Sequence, residues 1–160
     1  LLSEIDSEDD YQNELIMKKN MLSWIYFRLY KIEDAVKLSN EVIKLTQWRN
    51  ISSLGNRYMI MCYTGDELEA KKCLDILKKL SNETDFDKLF IEAKAEHAYY
   101  YSRLGGTDNI NRCIDLFSKA VEARPDNYMW KFGLGLAYRR ATHANILFSG
   151  PQRVNVEELT

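Results

Sequence analysis

Histidine, the side chain that acts most often in general acid–base catalysis, is scarce in this 160-residue sequence. His97 and His143 are the only histidines, and neither has a cysteine or an acidic residue at the spacing of metal ligands. A glycine-rich phosphate-binding loop follows a strand, and the sequence contains no clear strand. We therefore expect no enzymatic activity, no metal site and no bound cofactor.

Two pairs of residues have types and spacing suited to binding an anion beside a planar group. Tyr99 and Arg103 are i and i+4, as are Leu136 and Arg140, so the members of each pair share a face of a helix. A guanidinium group neutralises anionic oxygens, an aromatic ring provides a stacking surface, and an aliphatic side chain packs against a ring edge.

Each of these residues also has an ordinary structural interpretation. Tyr99 begins a run of three tyrosines, of which at least one must face a core. Arg103 near a helix C-terminus would complement the helix dipole, and Leu136 would be a core residue. Of the adjacent Arg139 and Arg140, one would normally face solvent. Both interpretations stay open at this point.

The elements that must position these residues are predicted to be helices. Apolar residues recur at helical spacing in seven segments, at about 11–29, 32–47, 50–64, 66–81, 85–104, 108–123 and 126–145. Gly65 and the pair Gly105 and Gly106 mark helix ends. The first ten residues, five of them acidic, are either a frayed start or an acidic first turn. Four residues of the second segment are predicted to face inward, namely Ala35, Leu38, Val42 and Leu45. Four apolar residues of the fourth segment share one face, namely Ala70, Leu74, Leu77 and Leu80, and the seventh segment includes Leu134, Ala137, Tyr138 and Ala141.

The spacing of residues between Cys113 and Tyr138 is typical of a tetratricopeptide repeat. Small residues at 113 and 120, an aromatic residue at 117 and a proline at 125 match the second half of one repeat, and 134–138 match the start of the next. The small position also occurs at Ala35 and Ala70, so the intervals are 35 and 43 residues. We expect an all-α fold in which helical hairpins stack in a right-handed superhelix.

The predicted repeats occupy roughly 11–47, 50–82 and 85–125, followed by a half-repeat at 126–145. We interpret this pattern as a single tetratricopeptide-repeat domain, and the terminal half-repeat as typical of a fragment of a longer array. The roles of the acidic segment at the start and of the tail at 146–160 are not predicted by any pattern.

Composition limits the classes of function. The formal net charge of −2 argues against a protein that coats nucleic acid without specificity, although it leaves room for a local basic site. Cys62, Cys73 and Cys113 are an odd number on predicted helices, which favours buried free thiols in a reducing compartment. No apolar run approaches the roughly 20 residues of a membrane span. We therefore expect a cytoplasmic protein that does not enter a membrane. Trp24, Trp48 and Trp130 are expected to be packing residues.

Four segments together resemble the interferon-induced proteins with tetratricopeptide repeats. They cover about 50–140, and weaker similarity extends back to Asn20. The order and spacing of the segments, including the long second interval, make the resemblance fairly specific. The segments are Gly55-Asn56 followed by Gly65; Lys78 to Asn82; Leu104 to Gly106 with Asn109, Arg112 and Cys113; and Pro125 to Asn127 continuing through Gly133 to Arg139.

The resemblance implies an antiviral role in innate immunity. Members of that family bind the 5′ end of single-stranded RNA, reading a triphosphate or a cap, and suppress translation of foreign transcripts without hydrolysis or a metal. By alignment, Tyr99, Arg103, Leu136 and Arg140 are similar to the RNA-binding residues of the family, with Arg139 as the alternative to Arg140. The present chain departs from the family pattern, since Arg103 replaces a lysine, Tyr99 a tryptophan and Ile110 a tyrosine.

Two other functions are compatible with a helical-repeat fold, because a fold does not dictate a function. One is a scaffold whose groove binds a peptide or a partner protein. The other is self-assembly into a homodimer through a face of the seventh helix at Leu134, Tyr138 or Ala141 that no other helix covers.

Overall fold

The computed structural model describes the backbone of residues 2–148 and the side chains of residues 11–143. The described chain is helical, with no strand between residues 2 and 148, which confirms the all-α prediction. None of these helices is both long and apolar enough to cross a membrane. The helices are α1 (Leu2–Arg28), α2 (Ile32–Leu45), α3 (Ile51–Thr64), α4 (Glu67–Leu80), α5 (Phe86–Leu104), α6 (Thr107–Ala123) and α7 (Tyr128–Phe148).

Helix ends follow local chemistry. Asn50 precedes α3, and its side-chain oxygen accepts a hydrogen bond of 2.7 Å from the backbone N–H of Ser53. Asp66 caps α4 in the same way, through the backbone N–H of Glu69 at 3.0 Å. Gly65 ends α3 with a φ of +79°, a conformation that costs glycine no steric strain. These three residues explain why the helix bounds in this part of the chain follow the sequence pattern.

The chain forms two compact units, unit 1 (Leu1–Glu96) and unit 2 (His97–Thr160), with the boundary inside α5. In unit 1, α1 packs against α2 and α3 packs against α4, while α3 also contacts α1 and α2. One cluster of its core consists of Ala35, Ile60, Met61 and Ala70, and the other consists of Ile43, Leu54 and Leu80. The two predicted small positions of unit 1 therefore lie together in one core cluster.

In unit 2, α6 packs against α7. Cys113, Phe117 and Ala120 are buried on α6, as their predicted roles require. The ring of Phe117 lies against α7 at Gly133, where an added Cβ would be only 2.7 Å from the Cζ atom of Phe117. The Phe117 ring therefore occupies the space that a side chain at position 133 would need.

Several predicted core positions are wrong. Leu45 is 42% exposed, because no other part of the described chain covers the last turn of α2. Cys62 is an exposed thiol, whereas Cys73 and Cys113 are buried as predicted. Trp24 is exposed at the surface of α1 rather than packed in a core.

The start of the chain was predicted as either frayed or helical, and the backbone of α1 is helical from Leu2. Of the tail at 146–160, the residues from 149 onward lie outside the described part of the chain.

Candidate functional site

Tyr99 and Arg103 form a contact on the C-terminal half of α5, in unit 2. The Cζ atom of Arg103 lies 5.2 Å from the centroid of the Tyr99 ring, within the range of a cation–π interaction. Tyr99 is half-buried and also meets the ring of Tyr100 edge-on, with centroids 6.4 Å apart. Arg103 is exposed. The guanidinium group of Arg103 thus lies over the Tyr99 ring, on an exposed side chain.

Arg140 reaches the same turn of α5 from α7. Its Nη1 atom donates a hydrogen bond of 2.7 Å to the backbone carbonyl of Ser102. Because α5 ends at Leu104, this carbonyl is one of those that a helix leaves without an intrahelical donor. Arg140 therefore stabilises the end of α5, and its remaining N–H groups are free to donate elsewhere, since a guanidinium group has five donors.

The third arginine, Arg139, points elsewhere. It is exposed, and adjacent residues of a helix project about 100° apart. Leu136 is half-buried one turn before Arg140. The structure therefore places the Tyr99–Arg103 contact and the hydrogen bond from Arg140 to Ser102 on the C-terminal half of α5, with Leu136 on the same face of α7 as Arg140. The role of these residues in binding stays a prediction.

The charges of this site are not neutralised within the described residues. Among residues 11–143, no carboxylate forms an ion pair with Arg103, Arg139 or Arg140. The site is therefore a cationic surface whose guanidinium groups are not paired with a carboxylate of those residues.

The thiol beside this surface is chemically inert. Burial raises the pKa of Cys113 to about 11, and the positive charge of Arg140 only partly opposes this rise. A thiol with that pKa is protonated at neutral pH and is a poor nucleophile or metal ligand. Cys113 is thus a packing residue, and the described residues contain no group of three or more histidine, cysteine or acidic side chains that could hold a metal ion.

Unit 1 contains a buried polar cluster that the sequence did not reveal. The Nδ2 atom of Asn20 donates to Oδ1 of Asn50 and to Oε2 of Glu96, each at 3.0 Å, and the side-chain amide of Asn50 donates to the other oxygen of Glu96. Glu96 is only 5% exposed. The cluster joins α1, the start of α3 and α5. The one available signal was a polar residue, Asn20, four residues after Ile16 on an apolar helix face.

A second polar cluster of unit 1 centres on Arg57. Its guanidinium group pairs with Glu69 at 3.0 Å and donates to the side-chain oxygen of Asn40. The Trp48 ring packs beside it, with the Nζ atom of Lys72 at 4.1 Å from the ring centroid. Because these contacts join α2, α3 and α4, the cluster has a structural role.

Comparison with known proteins identifies no relative that would assign a function. No protein-family model matches the chain, and no significant match is found to a curated protein or to a solved structure. The resemblance to the interferon-induced proteins with tetratricopeptide repeats therefore stays a prediction that depends on the four segments described above.

Proposed function

We propose that this protein binds the 5′ end of single-stranded RNA in the cytoplasm, as an interferon-induced antiviral protein that blocks translation of foreign transcripts. In this proposal the seven helices belong to tetratricopeptide repeats arranged in a right-handed superhelix. The observation that carries the proposal is the convergence of Arg103 and Arg140 on the last turn of α5, where both are exposed.

The chemistry of an RNA 5′ end suits this surface. A triphosphate concentrates negative charge, and two exposed guanidinium groups provide forked donors for its oxygens. Bases stack on guanidinium planes as well as on aromatic rings, so Arg103 extends the stacking surface of Tyr99. Leu136 would supply the apolar wall, and Arg140 rather than its alternative Arg139 would contact the phosphates, since Arg140 reaches the end of α5.

Binding of matched RNAs tests the proposal. Two single-stranded RNAs of one sequence, with a 5′-triphosphate or a 5′-hydroxyl end, are titrated with the protein and followed by fluorescence anisotropy. We expect the triphosphate RNA to bind more tightly. With ~3 phosphate contacts, log affinity should fall against log salt with a slope of roughly −2.

Arg103→Glu should sharply reduce binding of the triphosphate RNA and flatten that slope, because it reverses a charge at the site. Arg112→Glu is the matched control, since Arg112 is also exposed and also lies over a tyrosine ring, that of Tyr101, at 5.6 Å. Equal affinity for the two RNAs, together with equal effects of the two substitutions, would disprove the proposal.

Tyr99→Ala separates stacking from charge. We expect it to weaken binding by ~1–3 kcal/mol for both RNAs if a base stacks at this position. The ratio of the two affinities should then change little, because the phosphate-binding arginines are retained.

The second candidate function is self-assembly. It is favoured by α7, where Tyr128 and Phe132 are 80% and 63% exposed and Met129 and Tyr138 are also exposed.

A further inference from the structure

Two glycines of α7 have opposite surroundings. Gly133 is half-buried, and the space of its missing side chain is filled by the Phe117 ring. Gly135 is exposed, and no atom lies within 4 Å of the position of an added Cβ. Glycine destabilises the interior of a helix relative to alanine. Packing against Phe117 therefore explains why position 133 is a glycine. No contact within the chain explains Gly135, which leaves an empty notch on an exposed face of α7.

A stripe of four exposed residues contains this notch. The α7 stripe consists of Tyr128, Phe132, Gly135 and Arg139, which are i, i+4, i+7 and i+11. At about 100° per residue, these positions lie within about 60° of one another around the helix. The spacings of four, three and four residues read the same in both directions. An antiparallel copy of the stripe therefore places its first residue opposite the fourth and its second opposite the third.

We propose that α7 pairs with α7 of a second copy of this chain, antiparallel and with two-fold symmetry, in the register set by the α7 stripe. Phe132 of each copy then enters the Gly135 notch of the other, and Tyr128 of each copy faces Arg139 of the other. A two-fold interface requires a surface that is complementary to itself, and the stripe meets this requirement at all four positions. The pairing goes beyond RNA binding and does not depend on it.

Contacts of the same two kinds, a ring in a glycine notch and an arginine over a tyrosine ring, already occur within unit 2. Phe117 occupies the Gly133 notch as Phe132 would occupy that of Gly135. Arg103 lies over the ring of Tyr99 as Arg139 would lie over that of Tyr128.

The ring of Tyr128 is itself accessible to cations, since the Nζ atom of Lys131 lies 5.5 Å from its centroid. The two-fold pair would thus repeat, between copies, two kinds of contact that the fold uses within one.

Area and charge indicate a reversible dimer. An aromatic side chain buries about 150–250 Å², so Tyr128 and Phe132 together offer about 300 Å² of ring surface per copy. With the flanking Met129 and Tyr138, the area approaches the lower limit of a stable interface. The two Arg139 residues lie about 16 Å apart along the axis, beyond the screening length of about 8 Å at physiological salt. Their repulsion is therefore weak, and we expect a micromolar dissociation constant.

Sedimentation equilibrium of the full chain is the first test. We expect a monomer–dimer equilibrium, and Phe132→Ala and Gly135→Leu should each weaken association by about tenfold or more, because one removes the ring and the other fills its notch. Leu68→Ala is the control, because Leu68 is 82% exposed on α4 and lies outside the stripe. Circular dichroism should show that helicity is retained in each variant, since Gly135→Leu adds its side chain into open space.

Disulfide cross-linking tests the register. In a Cys62→Ser background, the double variant with Tyr128→Cys and Arg139→Cys should oxidise to a covalent dimer. Each single variant should stay monomeric on oxidation, because like residues are about 16 Å apart in the antiparallel pair and a disulfide needs Cα atoms within about 7 Å.

Three results would overturn the proposal. One is a monomer at every concentration, and another is association that neither Phe132→Ala nor Gly135→Leu weakens. The third is cross-linking of a single variant, which would indicate a parallel or shifted pairing. Weaker RNA binding by Phe132→Ala in a chain that stays monomeric would assign the stripe to nucleic acid instead.

Discussion

The two units of the chain use polar side chains in opposite ways. In unit 1, Asn20 and Glu96 are buried, and their hydrogen bonds connect α1, α3 and α5. In unit 2, the buried residues between 97 and 143 are all apolar, and the arginines lie at the surface. The side-chain amides of Asn20 and Asn50 and the carboxylate of Glu96 are thus occupied in holding the helices of unit 1 together. The polar groups of unit 2 are accessible to a ligand, which is why the candidate site lies there.

This difference has an energetic basis. A buried polar group is tolerated when it is hydrogen-bonded, and removing its partner then costs the desolvation of the group that is left behind. An exposed arginine stays hydrated, so its loss costs little stability and its charge remains available for binding. The effects of substitution on stability and on binding should therefore separate between the two units.

The largest effect is expected in the apolar core of unit 2. Phe117→Ala should destabilise the fold by ~3–5 kcal/mol, because the ring is buried and fills the space beside Gly133. Urea unfolding followed by circular dichroism measures the change. A midpoint equal to that of the wild type would mean that unit 2 does not depend on this contact.

The polar interior of unit 1 should respond next. Glu96→Ala should cost about 2–3 kcal/mol, since the side-chain amides of Asn20 and Asn50 lose an acceptor in a buried place. Glu122→Ala, at an exposed position of α6, serves as the control and should change stability by less than about 0.5 kcal/mol. Equal effects of the two substitutions would remove the contrast between the units.

Substitutions at the two glycines of α7 compare a packed position of unit 2 with an open one. Gly133→Ala should destabilise by about 1–3 kcal/mol, because its methyl group would collide with the Phe117 ring. Gly135→Ala should stabilise the monomer by about 0.5–1 kcal/mol, because it removes a helix-interior glycine and meets no atom. Thermal unfolding at a concentration that keeps the chain monomeric compares them. Shifts of the same sign would contradict the assigned surroundings.

The smallest effect on stability is expected at Arg140. Arg140→Ala removes one hydrogen bond to the carbonyl of Ser102 at an exposed helix end, so the loss should be below about 1 kcal/mol. Thermal unfolding gives the value. A loss as large as that of Glu96→Ala would show that the guanidinium group is a structural support rather than a group available to a ligand.

The helices and many of their ends could be predicted from the sequence because they depend on neighbouring residues. Asn50 caps α3 through a group three residues away, and Gly65 and Gly105 have the positive φ values that glycine favours at a helix end. Tyr99 and Arg103 were also predictable as a contact, since residues four apart on a helix face the same way.

The remaining features connect residues that are far apart in the chain. Arg140 binds a carbonyl 38 residues earlier, and Asn20 binds Glu96 across 76 residues. No local pattern specifies such a pair, because it depends on which helices come together. The predicted core position of Leu45 fails for the same reason, since a periodic apolar residue is buried only where another element covers it.

The sequence by itself thus determined the seven helices, most of their ends and the pair on α5, because backbone geometry and capping act within a few residues. Tertiary structure alone decided that Glu96 is buried between two amides and that Arg140 reaches Ser102. It also decided that another side chain packs against Gly133 but not against Gly135, although both lie on α7. Each of these outcomes is a matter of proximity between separate helices, which packing establishes only when the chain has folded.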